Sequence, residues 1–374
     1  MHIHRHDVHL CLVSQQATPN FIPVLDHRFR PKRVILVVSP DMRERARWLE
    51  SALTQRSVAV EQYLIADAWD IPRIQDELLR LLVRESDNAL ALNVTGGTKP
   101  MAIAAQEVFR AEGKPIFYVH PERDEVIPLF CDEQPFPIEQ RVKIPDYLSI
   151  HGFHEVQRDR REFREACYLL GREWVMEVER LGKPLGTLNF LAGTCRQTRH
   201  VVAPDHKKEP HVWELIDKLR EHGLAETDRT NLVFPDEQSR FFVNGGWLEL
   251  YVDQTVRDLG ELKVQDVARS LRVESAGHAR NELDIAVLAR NRLCLIECKT
   301  RGMESRGYGT PGPDALYKLD SLTALGGLNT RGMIVSYRPL EKQDRQRAAD
   351  LSIRVVEGGQ LRNLSVHLMD WMMA

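Results

Sequence analysis

Apolar and polar positions follow two different periods along this chain. Residues 8–13 are a short apolar run, and 34–38, 58–65, 89–94 and 115–119 also read as strands. The stretches between them place apolar residues three and four apart. Residues 71–85 carry Ile74, Leu78, Leu81 and Leu82 at helical spacing, with Pro72 in the first turn. Residues 99–111 read as another helix. Asp41 is placed to cap a helix bearing Trp48, Leu49 and Leu53. Strand and helix in alternation predict an α/β domain over residues 1–145, a mostly parallel sheet with helices on both faces.

The pattern then changes. Residues 155–179 are charged, with enough apolar positions for helices, and Leu181-Gly182-Lys183-Pro184 reads as a break. Val212, Leu215, Ile216 and Leu219 mark one helix face, with Gly223 placed as the C′ cap. Residues 224–242 read as two strands around Pro235-Asp236. Helix, glycine and β-ribbon are the tail of a winged helix, and equally a spacer between outer domains, over residues 146–240. From residue 241 to 374 the order is helix, hairpin, helix, strand. Leu248, Val252, Val256 and Leu259 line the first helix. Residues 283–288 and 293–299 are apolar strands joined at Arg290-Asn291. Residues 314–325 form a helix carrying Lys318, and residues 331–336 a further strand. A mixed α/β sheet follows.

Chemistry concentrates in that hairpin, N-E-L-D-I-A-V-L-A-R-N-R-L-C-L-I-E-C-K-T over residues 281–300. Side chains two apart share a strand face, so Glu297 and Lys299 point the same way, and Asp284 can face them across the pair. An acid followed by E-x-K at the end of an apolar strand is the arrangement of the PD-(D/E)xK metal-dependent nucleases. Two carboxylates offer hard oxygen ligands to a divalent cation such as Mg²⁺ or Mn²⁺. A lysine beside them orients an attacking water or stabilises charge building on phosphate. Charges at the end of a strand that is apolar on both faces need partners, which sets this E-x-K apart from solvated edge charges. In restriction-endonuclease-like folds the helix before the core strands contributes another acid, and Glu249 stands there. The Gly-rich residues 302–313, with Arg301 and Arg306 nearby, lie next to the site as a substrate loop or a plain connection.

Two loops fall at the carboxyl edge of the first sheet, where ligands of parallel sheets bind. One is S-Q-Q-A-T-P-N, with Ser14, Gln15, Thr18 and Asn20. The other is N-V-T-G-G-T-K-P, with Thr95, Gly96, Gly97, Thr98 and Lys99. The glycines allow close backbone approach, and Thr98, Lys99 and the free N–H groups of the next helix turn form an anion site. A tight strand-to-helix turn with a threonine cap explains the second loop equally well. Neither G-x-G-x-x-G nor a Walker A loop is present, which argues against a dinucleotide cofactor or ATP hydrolysis.

Composition narrows the classes. Of 374 residues 43% are hydrophobic and 28% charged, and the formal net charge is −3, so no global basic field advertises nucleic-acid binding. No apolar run approaches the ~20 residues of a membrane helix, and the N-terminus lacks the regions of a signal peptide. Six cysteines without C-x-x-C spacing fit free thiols in a reducing cytoplasm. His2, His4, His6 and His9 could suggest a metal cluster, but His2, His4 and His6 fit one face of a first strand better.

The two loop motifs and the hairpin together resemble the CRISPR ancillary nucleases. These join a CARF domain, the Rossmann-like sensor of cyclic oligoadenylates, to a restriction-endonuclease-like domain. The resemblance rests on S-Q-Q-A-T-P-N, N-V-T-G-G-T-K-P-M-A, G-G-W-L-E-L-Y-V, N-E-L-D-I-A-V-L and L-I-E-C-K-T. It implies a homodimer with cyclic tetra-adenylate across the two-fold axis, lined by residues 14–20 and 95–99. It also implies a nuclease acting on DNA and/or RNA through Asp284, Glu297 and Lys299, with Glu249 assisting and the Cys298 carbonyl completing the metal shell. The family's literal Pro-Asp is Leu283-Asp284 here. Two rival readings remain: a ligand-responsive winged-helix DNA-binding regulator with a degenerate nuclease fold, and a ring nuclease that degrades its own signal.

Overall fold

The computed structural model describes residues 6–120, 122–138, 140–195, 200–261, 263–300, 312–327 and 330–373. The first domain contains β1 (Val8–Leu12), α1 (Thr18–Leu25), β2 (Arg33–Val38), α2 (Arg43–Gln55), β3 (Ala59–Leu64), α3 (Ile71–Arg84), β4 (Leu90–Asn93), α4 (Lys99–Ala111) and β5 (Ile116–His120). The apolar runs become parallel strands in the order β3-β2-β1-β4-β5. Two antiparallel strands not foreseen, β6 (Glu125–Leu129) and β7 (Phe136–Pro137), extend the sheet. β1 is followed on one side by β2 and flanked on the other by β4, so the strand order reverses between β1 and β4. Val8, Leu10, Leu12, Ile35 and Val37 pack under α3 and α4, while Cys11, Val34, Leu36 and Val38 face the opposite core. Asp41 does not cap α2. It lies in the 3₁₀ turn Pro40–Met42 and accepts the Ser39 hydroxyl at 2.6 Å, so the helix starts two residues later. His9 is a core residue: buried, packed on Phe29 and Phe117, its pKa lowered to about 3 by burial. His2 and His4 lie outside the described residues.

The middle region departs from the sequence reading in three places. Residues 155–159 are not helical: β8 (Phe153–Asp159), after α5 (Ile144–Ile150), pairs with the C-terminal sheet. After Phe153 its side chains are half-buried or exposed, as at a sheet edge, and Arg158 and Asp159 pair with Asp266 and Arg269 of the neighbouring strand. Helix α6 spans Glu165–Met176, and α7 (Val178–Thr194) runs through Gly182-Lys183-Pro184 without a break. Pro184 forfeits one backbone bond, but Leu181, Leu185, Leu188 and Ala192 are fully buried on the same helix, and their packing outweighs it. The helices part instead at Glu177. Next come β9 (His200–Val202), α8 (Pro210–Glu221), β10 (Glu226–Asp228) and β11 (Asn231–Val233), a three-stranded ribbon in the order β10-β11-β9 behind α8. Gly223 holds its capping place with φ +64°. The ribbon turns at Arg229, φ +52°, and not at Pro235-Asp236. Asp236 instead caps α9 (Glu237–Phe241), accepting the Ser239 N–H at 2.6 Å. The helix–glycine–ribbon arrangement is winged-helix-like.

The C-terminal domain contains α10 (Trp247–Asp258), β12 (Asp266–Ser275), β13 (Arg280–Ala289), β14 (Arg292–Lys299), α11 (Gly312–Leu325), β15 (Arg331–Ser336), α12 (Lys342–Asp350), β16 (Arg354–Glu357) and α13 (Leu364–Met373). The sheet order is β16-β15-β14-β13-β12-β8, parallel from β14 to β16 and antiparallel elsewhere. β14 is central and buried on both faces. Leu293 and Leu295 pack with Leu316 and Leu319 of α11; Cys294 and Ile296 pack with Trp247 and Leu248 of α10. Arg290 and Asn291, φ +50° and +54°, form the hairpin turn at the predicted place. That turn docks on the first domain. Asn291 donates to Asp124, and Arg292 pairs with Glu122, both in the β5–β6 turn. The Ile144 N–H also donates to Asp266 at 2.9 Å, and the Tyr147 hydroxyl to the Gly326 carbonyl at 2.9 Å. Among the described residues no helix is long and apolar enough to cross a membrane.

Candidate functional site

The hairpin register decides where the acids meet. The β13–β14 ladder pairs Ala289 with Arg292 and ends at Ile285 with Ile296. The next pair in register is Asp284 with Glu297, so both acids stand where the strands begin to part. Asp284 fills the opening: its Oδ2 accepts the Cys298 N–H at 2.8 Å, in place of a strand carbonyl. On the other edge of β14 the Lys299 carbonyl accepts the Tyr337 N–H at 2.7 Å. Main-chain groups alternate sides along a strand, which turns the Cys298 carbonyl toward the Asp284 side.

Side-chain alternation does the rest. Glu297 and Lys299 lie on the α11 side, as do Leu293 and Leu295, and their ion pair is 2.6 Å long. Lys318 of α11 reaches the second Glu297 oxygen at 3.6 Å and donates to the Glu282 carbonyl at 2.9 Å. Cys298 lies on the α10 side. Glu249, in the first turn of α10, accepts the Ser270 hydroxyl at 3.0 Å. Ser270 has φ +43° and drops out of the β12–β13 ladder opposite Asp284, which turns its side chain to the helix. Periodicity does not reveal β12 or Ser270, because Arg269 and Ser270 interrupt the alternation there.

Burial and like charges set the electrostatics. Burial, then the Glu297 charge, pushes Asp284 up to about 6. Burial, then the Asp284 charge, pushes Glu249 up to about 8. Burial works against the Lys299 ammonium, but Glu297 and Asp284 together outweigh it and raise its pKa. Half-buried carboxylates that resist ionisation beside one another are what a divalent cation relieves. Among the described residues no three His, Cys, Asp or Glu side chains converge as a metal shell. The oxygen donors that fit a hard cation are therefore Asp284, Glu297 and the Cys298 carbonyl, with Glu249 behind Asp284. Arg301, Arg306 and the Gly-rich residues 302–311 lie outside the described residues.

At the first domain's carboxyl edge, two segments meet between β1 and β4; the first is a loop only to Ala17, for Thr18 and Asn20 lie in α1, which starts there with Pro19 in its first turn. Asn20, buried, donates to the Leu12 carbonyl at 2.8 Å and accepts from Asn93 at 3.1 Å. Asn93 accepts the Thr95 hydroxyl at 2.7 Å, and that hydroxyl accepts the Val119 N–H at 2.7 Å. Asn20 and Thr95 thus tie the ends of β1, β4 and β5 together. Thr98 caps α4 through the Met101 N–H at 3.2 Å and donates to the Ala68 carbonyl at 2.7 Å. Gly97 has φ +75°, and a Cβ on Gly96 would stand 2.1 Å from the Leu12 carbonyl oxygen, so both glycines are required by the turn itself. Thr18 is fully buried, its hydroxyl without a hydrogen-bond partner among the described residues. Ser14 is half-buried, while Gln15 and Lys99 are exposed on the edge.

Known proteins match both halves. The model of the Card1 CARF domain matches residues 8–147, and that of the Card1-like endonuclease domain matches residues 236–374. No curated protein matches the chain. Among solved structures, protein VC1899 from Vibrio cholerae is 31% identical over 98% of each chain, with a TM-score of 0.87. Can2 from Sulfobacillus thermosulfidooxidans, solved in complex with cyclic tetra-adenylate, is 27% identical over 99% of this chain and 98% of its own, with a TM-score of 0.80. A type III CRISPR defence DNA nuclease activated by cyclic oligoadenylate shares the fold, at 19% identity over 94% of this chain and 48% of its own, with a TM-score of 0.54. The chain belongs to the family that joins a Card1 CARF domain to a Card1-like endonuclease domain.

Proposed function

We propose that this protein is a metal-dependent nuclease of type III CRISPR defence, switched on by a cyclic oligoadenylate, and that cyclic tetra-adenylate is the activator. The observation that carries the reading is the opposition of Asp284 and Glu297 at the open end of the β13–β14 ladder, with Lys299 paired to Glu297. Asp284, Glu297 and the Cys298 carbonyl would hold Mg²⁺ or Mn²⁺. When bound, the cation supplies Lewis-acid activation of water and of the scissile phosphodiester of DNA and/or RNA. Lys299, fixed by Glu297, orients the nucleophile and stabilises charge building on phosphate. Lys318 adds a second ammonium on the same side. Glu249 holds a proton near neutral pH and keeps a second negative charge away from Asp284 until the site is filled.

On the sensor side, Lys99, through its ammonium and its backbone N–H, and Ser14 and Gln15 take the activator's phosphates, on a frame held by Asn20, Thr95 and Thr98. Thr18 borders that frame, and Gly96 and Gly97 bring the backbone close. A homodimer places the activator across its two-fold axis, whose symmetry the cyclic tetranucleotide shares. Activator binding gates cleavage only by favouring one state of the dimer.

The test is a cleavage assay on labelled single-stranded DNA, single-stranded RNA and supercoiled plasmid. Each runs with Mg²⁺ or Mn²⁺, with and without cyclic tetra-adenylate. Cleavage that needs both metal and activator is expected. Cleavage without activator would remove the gate, and no cleavage despite tight activator binding would remove the nuclease.

A further inference from the structure

Trp69 stands at the sensor edge with 72% of its surface exposed. Its loop, residues 65–70, leaves the carboxyl end of β3 and crosses to the start of α4. Ala68 is buried in the core shared by Ile74 and Met101, and its carbonyl accepts the Thr98 hydroxyl at 2.7 Å. That contact sets the Trp69 backbone, one residue past Ala68, close to Thr98 and hence to the start of α4. The next residues are held as well. The Trp69 N–H donates to the Asp67 carboxylate at 2.8 Å, and Asp70 caps α3 through the Arg73 N–H at 3.2 Å. The backbone is thus pinned on both sides of an indole that is left in water.

A large exposed aromatic on a fixed backbone presents a π face at low ordering cost. One residue past Thr98 is Lys99, whose side chain is exposed and whose backbone N–H opens α4. A flat heteroaromatic ring joined to a phosphate matches that juxtaposition, which is the chemistry of one nucleotide unit. We propose that Trp69 is a wall against which an adenine base of the cyclic oligoadenylate stacks, while Lys99 meets the neighbouring phosphate. The proposal rests on the sensor reading above and adds to it a base contact from a third loop. Phosphate contacts alone do not distinguish bases, whereas a stacking wall favours the larger purine face.

The test is a titration of the full-length protein with cyclic tetra-adenylate, read by calorimetry and by tryptophan fluorescence. It compares the wild type, Trp69→Ala and Trp69→Phe. Binding should quench fluorescence in the wild type and lose that quench in Trp69→Phe, whose aromatic face keeps the affinity within a few-fold. Trp69→Ala should bind roughly 5- to 150-fold more weakly. Trp69 lies outside the core, so both variants should melt with the wild type, and Trp69→Phe carries the test if the alanine variant does not. Equal affinity in the wild type and Trp69→Ala would overturn the stacking role and leave the sensor reading standing. No binding by the wild type would remove both. Weaker binding by Trp69→Ala together with loss of a ligand-free dimer in sedimentation would assign the indole to a second copy and overturn the proposal.

Discussion

Replacing Asp284 by asparagine separates the stability of the site from its chemistry. Asp284 is a carboxyl whose pKa rises in the fold from 3.8 to about 6. Its native form therefore holds the proton more tightly than the unfolded chain does. Below both values the group is neutral in either state and costs nothing. As pH rises through them, the native state loses stability, and above about pH 6 the loss is complete. Two pKa units correspond to about 3 kcal/mol. The side chain keeps some contact with solvent, so we take roughly 1–3 kcal/mol. Asparagine removes the charge and keeps an oxygen to accept the Cys298 N–H. Alanine removes both and leaves that N–H unpaired, a loss of about 1–3 kcal/mol. Thermal unfolding at pH 7.5 with divalent ions chelated should thus place Asp284→Asn a few degrees above the wild type and Asp284→Ala below Asp284→Asn. The advantage of asparagine should shrink at pH 5, and neither variant should cleave. If Asp284→Asn melts below the wild type and level with Asp284→Ala, the buried carboxylate is not a destabilising charge and the electrostatic account fails.

Glu297→Ala and Lys299→Ala should each abolish cleavage while calorimetric affinity for the activator stays at the wild-type value; full cleavage by either would remove the site assignment. Lys99→Ala should raise the activator concentration for half-maximal cleavage roughly tenfold or more, as loss of a hydrogen bond to a charged group does, and an unchanged response would exclude Lys99 from the sensor. Gly96→Ala places a Cβ 2.1 Å from the Leu12 carbonyl oxygen, so it should lower the melting temperature and weaken activator binding together, as chelated melts and calorimetry will report. Burial, then the Asp284 charge, raises Glu249 to about 8, so without divalent ions the melting temperature should fall as pH rises from about 7 to 8. The buried histidines, lowered from 6.5 to about 3 and about 4, oppose that slope below about pH 7, where their unfolded forms gain protons. Glu249→Gln should flatten the slope, and an unchanged slope would assign it elsewhere.

Much of this protein was written in local pattern. The inner strands of the first sheet follow from periodicity because a parallel strand buried on both faces must be continuously apolar, and α3, α4 and the Arg290-Asn291 turn follow from helical spacing and turn chemistry; β3, at the edge, is only half-buried and carries Glu61 and Gln62. The pairing of Glu297 with Lys299 follows from the two-residue repeat of a strand and needed no partner element. The family resemblance was legible for a related reason: the glycines of residues 96–97 and the E-C-K of residues 297–299 are short segments whose backbone demands and chemistry leave little freedom.

Other features were settled only by contacts between distant segments. A charged run such as residues 153–159 becomes a strand when a sheet edge offers it hydrogen bonds and counter-charges. Pro184 stays inside a helix when the packing of Leu181, Leu185 and Leu188 exceeds the bond it forfeits. The sequence named Asp284, but only the register of the hairpin places it opposite Glu297 and on the Cys298 N–H. Glu249 was placed near the apolar stripe of its helix, yet its hydrogen bond depends on the left-handed turn at Ser270 in a strand that pattern did not reveal. Trp69 had no signal at all, since its position close to the start of α4 comes from one hydrogen bond between residues thirty apart in the chain. Periodicity reports which face of its own element a side chain occupies; which other element that face meets is fixed by the packing of the whole chain.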